Sequence, residues 1–232
     1  LLALLMTLRL KAPPGGRLAP PQAEHALQAR IIMMMRSPLA LYAAVALILN
    51  LAFAQVEASF VLVLRDYLSF GARETGWLFT YVGVCIVLVQ AVLIRHMVKR
   101  LGEVGTMGFG SLLLIIGQAL TVIAVIGLLP GGDYPLVQTV IATTAICFGF
   151  ALASPALSSA ASKIAGSSSR GGSLGVVQGF ASLGQVIGLV AAGPFYDLGG
   201  TQYPFAFGVA VMIGLLALLP WLARPEASDD IS

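Results

Sequence analysis

Charge is what this sequence has least of. Asp, Glu, Lys and Arg make up 10% of its 232 residues, against 58% hydrophobic. A soluble domain has about 25% charged residues, so this chain has too little polar surface to face water all round. Histidine and cysteine are scarce too, with two of each. His25 and His96 both lie in segments read below as cytoplasmic, and no H-E-x-x-H occurs. No Gly-rich phosphate loop runs into Lys and Ser or Thr. These absences argue against an enzyme and against any metal or cofactor site. Cys85 and Cys147 have no metal-ligand spacing and read as small packing residues.

What is present is apolar length. A bilayer core is about 30 Å thick, and a helix needs about 20 apolar residues to cross it. Six stretches qualify, at about 38–64, 75–97, 105–129, 135–158, 172–196 and 204–222. Mean hydropathy is +0.94. The expected fold is an all-α bundle of six transmembrane helices over 38–223. Residues 1–8, apolar and followed by Arg9 and Lys11, read as the remnant of a preceding membrane helix. A signal peptide would carry those charges in front. The chain is therefore expected to be the C-terminal part of a longer protein. Residues 9–37, with Pro13-Pro14-Gly15-Gly16 and Pro20-Pro21, read as a cytoplasmic linker, and 224–232 as a cytoplasmic tail.

Orientation follows from the basic residues. Arg9, Lys11, Arg17, Arg30 and Arg36 precede the first span, and Arg95, Lys99 and Arg100 follow the second. Lys163 and Arg170 lie between the fourth and fifth, and Arg224 follows the sixth. If six helices alternate, these all fall on one side, and of the 13 Lys and Arg only Arg65 and Arg73 fall on the other. Both termini are then cytoplasmic, in a plasma or inner membrane. The net charge of +3 reflects this topology and gives no reason to expect nucleic acid. The loop from Ser158 to Gly171 is expected to be the longer cytoplasmic connection.

The fifth span carries two stripes. Gly175 and Gly179, then Gly184 and Gly188, are four apart, the spacing that lets helix backbones approach. Gln178, Ser182 and Gln185 lie at i, i+4 and i+7 on another face. Those amides either line a pathway or join helices. Glu57 is the one acidic residue well inside a span. It shares a face with Asn50, about 10 Å away along the helix. A carboxyl there costs several kcal/mol unless it meets protein or water. It either handles protons or substrate, or sits in the external mouth paired with Arg65 or Arg73. Gln90, Gln118, Thr139, Thr143 and Thr144 add neutral hydrogen-bonding groups. The glycines of the second and fifth spans match weakly, Gly76 and Gly83 against Gly172 and Gly179, as two inverted three-helix repeats would.

Three stretches together resemble the C-terminal half of a major facilitator superfamily transporter, nearest the tetracycline and multidrug proton-antiporter type. The first is Glu57-Ala-Ser-Phe60 followed by Phe70-Gly-Ala-Arg-Glu-Thr-Gly76. The second is Gly83, Gln90 and Arg95-His-Met-Val-Lys-Arg-Leu-Gly-Glu103, similar to a second copy of that family's basic loop motif through Arg95, Lys99, Arg100 and Gly102. This copy lacks an aspartate ahead of the basic residues. The third is Phe148-Gly-Phe150 with Pro155, then Gly171-Gly-Ser-Leu-Gly175 and Gly193-Pro-Phe-Tyr-Asp197. The resemblance implies a secondary transporter that moves a small solute or drug by alternating access, with proton-coupled efflux. It implies a missing N-terminal six-helix half as partner, with lipid and protons, and no cofactor. Glu57, Asn50, Gln90, Gln178, Ser182 and Gln185 are then the expected substrate and proton pathway. The first, second, fourth and fifth spans are expected to face the cavity, and the third and sixth lipid. A stand-alone six-helix protein that dimerises, or a non-transporting receptor of the same fold, is the alternative.

Overall fold

The computed structural model describes residues 39–127, 135–164 and 166–222, without the side chains of 166–170. The remnant at 1–8, the linker at 9–37, most of the turn before Pro135 and the tail at 224–232 lie outside the described residues. Those described are helical apart from short turns, with no strand among them. α1 spans Leu39–Leu68 and α2 Ala72–Leu88. A π-helical turn, Val89–Leu93, joins α2 to α3 at Ile94–Val125. α4 spans Pro135–Ile164, α5 Gly166–Gly199 and α6 Gln202–Leu222.

Five helical stretches are long and apolar enough to cross a membrane. The longest, Ala72–Val125, runs for 54 residues. Gly102 interrupts it with φ 71° and ψ 178°, outside the helical region. Only glycine takes such a backbone at no steric cost, so the sequence itself places the break. The chain is an integral, multi-pass membrane protein by these helices. Helix ends follow local chemistry. Gly71 begins α2, with Glu74 Oε2 accepting from its backbone N–H at 3.1 Å. Pro135 opens α4, where a missing N–H costs nothing.

One expectation needs correcting. The stretch from Ser158 to Gly171 is not a long loop, because α4 continues to Ile164 and α5 begins at Gly166. Small polar residues extend the helix here. Ser158 Oγ donates back to the Ser154 carbonyl at 3.2 Å, so its hydroxyl is satisfied inside the helix.

α1 is the hub, touching α3, α4, α5 and α6. Val45, Leu49 and Leu64 are fully buried along it. The most intimate contacts are α3 on α4 and α1 on α5. Missing side chains make both possible. A Cβ added at Gly110 would lie 2.6 Å from the Gly149 carbonyl oxygen, and one at Gly149 would lie 2.6 Å from that of Gly110. On the other seam, a Cβ at Gly184 would run into the Leu47 carbonyl oxygen, and one at Gly188 would lie 2.6 Å from that of Leu51. Lipid offers no hydrophobic drive between helices, so such backbone packing carries the association. α2 is the outlier, with Leu78 and Cys85 its only buried residues.

Candidate functional site

The polar residues of α1 fall on different faces. Gln55 points at α5. It is fully buried, and its Nε2 donates to the Gly188 carbonyl at 2.8 Å. Glu57, two residues on, is exposed, and Gln185 Nε2 of α5 donates to its Oε2 at 3.0 Å. At the end of α1, Asp66 accepts from Arg65 Nε at 2.7 Å and from the Tyr196 hydroxyl of α5 at 3.1 Å. Three polar contacts thus run down the α1–α5 seam. Asn50 stands apart from them, its Nδ2 donating to its own helix at Ala46 at 2.8 Å.

Glu57 also borders a cavity of about 60 Å³ between α1, α2 and α4. Phe53, Phe60 and Phe79 supply its aromatic wall, with Thr143, Ile146 and Cys147 from α4. Phe53 stacks on Phe150 at 3.7 Å between centroids, and Phe60 meets Phe79 edge to face at 5.9 Å. A rigid aromatic box with one carboxylate at its rim suits an apolar group bearing positive charge. The mouth salt bridge does not form. Arg65 pairs with Asp66, and Glu57 has no ion pair among the described residues.

Gln178, Ser182 and Gln185 all lie exposed on α5, and of these Gln185 reaches Glu57. Gly184 and Gly188 face α1, while a Cβ at Gly175 or Gly179 would meet open space. Gln90 is exposed within the π turn, a rare backbone form often found at functional positions. Arg95, Lys99 and Arg100 are exposed just before the break at Gly102. No group of three or more His, Cys, Asp or Glu gathers among the described residues.

Sequence reasoning missed three features. Gln55 was hidden because Asn50 and Glu57 define a different face. Gly110, Gly117 and Gly149 build the α3–α4 seam, and the seven-residue spacing of the first two was the available signal. Glu103 pairs with Lys163 across the same seam and accepts from the Ser159 hydroxyl at 3.4 Å. Lys163 holds the Glu103 carboxyl below the usual carboxylate range.

The described helices thus form a bundle of membrane-crossing length with an acidic, aromatic-lined recess. Residues 42–231 match the Major Facilitator Superfamily model, and the chain belongs to that superfamily, whose members are membrane transporters. The chain is similar to "Multidrug resistance protein 1" of Bacillus subtilis (strain 168), 27% identical over 178 residues. That alignment takes in 76% of this chain and 43% of the relative, so the chain spans less than half of the protein it matches.

Proposed function

We propose that this chain is one six-crossing half of a proton-coupled efflux carrier for lipophilic cations. Its membrane arm is the superfamily match, and its substrate arm is Glu57 at the rim of the Phe53, Phe60 and Phe79 recess. The relative's printed name, a multidrug resistance protein, supports the same class.

The stretch Ala72–Val125 then crosses twice. At about 1.5 Å per residue it is more than twice the bilayer core, and Gly102 with its basic neighbours supplies the turn. The helix pairs also exchange in step: α1 lies on α5 as α4 lies on α2, and α4 on α3 as α1 on α6. That pattern supports two three-helix repeats. Glu57, Gln178, Ser182, Gln185 and Gln90 are all exposed, which leaves them free to face a second six-helix half. Alternating access follows if the two halves rock about the recess. Glu57 serves as the exchange point. A cation and a proton compete for one carboxylate, so protonation releases the cation. The basic ends face the cytoplasm by the positive-inside rule.

The test is efflux of a fluorescent lipophilic cation from cells expressing the complete transporter. Efflux should stop when a protonophore collapses the proton gradient and should compete with tetraphenylphosphonium. Efflux that persists without the gradient, or ignores tetraphenylphosphonium, contradicts the reading.

A further inference from the structure

The chain's two cysteines, Cys85 and Cys147, are both free thiols and both buried, at 8% and 5% exposure. Two contacts fix how α2 lies on α4 around them. The Tyr81 hydroxyl is 2.8 Å from Thr144 Oγ1. Two turns further along, Val89 packs with Ala151 and Leu152, and Ile86 and Phe148 lie against them. Residue numbers rise together on both helices, so the two run parallel. Cys85 lies four residues past Tyr81 and four before Val89. Cys147 lies three past Thr144 and four before Ala151. Both contacts therefore bracket the two cysteines at one level of the interface. The thiols are close enough to interact electrostatically, and Tyr81 interacts with Cys85 as well. Cys147 also forms part of the wall of the 60 Å³ recess.

We propose that Cys85 and Cys147 form a dithiol site for one soft, two-coordinate divalent metal ion of the mercury(II) class, which staples α2 to α4. Thiolates select soft metals. Two ligands leave a zinc tetrahedron half empty, and no third His, Cys, Asp or Glu joins them among the described residues. One divalent ion held by two thiolates is electrically neutral, so the loaded site avoids the cost of a charge in an apolar bundle. The metal enters as neutral mercuric chloride. Two S–H bonds break, two S–Hg bonds form and two molecules of hydrogen chloride leave, with no change of oxidation state.

The experiment titrates the full chain, purified in detergent, with mercuric chloride. One metal ion per chain should consume both thiols. Cys85→Ser and Cys147→Ser each leave a one-sulfur site. Glutathione should strip mercury from either variant at a concentration on the order of 100-fold lower than from the wild type, because the second sulfur acts at high effective concentration. Two mercury ions per wild-type chain, or stripping at equal glutathione, overturns the proposal. If a variant does not fold, the wild-type stoichiometry decides it, one ion for the staple and two against it.

Discussion

At the residue scale, buried polar groups decide the most. Gln118 of α3 is fully buried, and neither end of its amide has a protein partner among the described residues. A buried amide without partners costs about 1–3 kcal/mol, whereas an apolar side chain of similar shape costs nothing of that kind. Gln118→Met should therefore raise the melting temperature of the purified protein, and a fall would mean the amide holds a bound water or polar group. Glu103 gives the pH-dependent counterpart. Its folded pKa lies below its ordinary value because of Lys163, so the pair stabilises above the ordinary carboxylate pKa. That contribution fades as pH falls through the lowered folded value. Lys163 is 66% exposed, so screening keeps the pair below about 1 kcal/mol. Thermal melts of wild type and Glu103→Gln should differ slightly at pH 7 and converge in acid. Curves that stay separated in acid would assign Glu103 a role other than this pair. Gln55 shows what the sequence hides at this scale. Its value depends on the Gly188 carbonyl 133 positions away, and no local pattern announces it.

At the element scale, the apolar spans were legible because about 20 apolar residues between charges have one solution in a bilayer. Boundaries were less so. Ser158 to Ile164 reads as loop by composition, yet its hydroxyls bond within the helix or across to Glu103, and α4 runs on. The π turn at Val89–Leu93 has no Pro or Gly to mark it. Of the four-apart glycines in α5, the spacing alone cannot say which meet a neighbour, since each is equally small. Substitution separates them. Gly184→Leu forces a side chain into the Leu47 backbone and should reduce folded yield severalfold, overpacking costing about 1–3 kcal/mol or more. Gly179→Leu points into open space and should express normally. Equal yields would remove the α1–α5 seam from the account. The 54-residue stretch is tested by side-specific labelling in a cysteine-free background. Single cysteines at Arg73 and Ile126 should label from one side and Lys99 from the other. All three labelling from one side would remove the turn at Gly102.

At the scale of the whole molecule, family and membrane class were readable from hydropathy, basic-residue bias and a few spaced motifs, and the match over 42–231 agrees. The site was readable only as a set of residue types. The fold sorts them: Glu57 with Gln185, Asn50 onto its own helix, Gln90 into a π turn. The walls of the recess come from three separate helices, so no stretch of sequence displays them together. The central claim is that Glu57 exchanges proton for cation, and its most direct test uses the complete transporter in proteoliposomes. Two fluxes of tetraphenylphosphonium are compared, one driven by a pH gradient and one a simple exchange of labelled for unlabelled cation. Glu57→Gln keeps the side-chain shape and loses titration. The account predicts that gradient-driven flux falls by about 100-fold, the scale of one lost proton-transfer group, while exchange survives in part. Gradient-driven flux at the wild-type rate with an unchanged pH profile would contradict it.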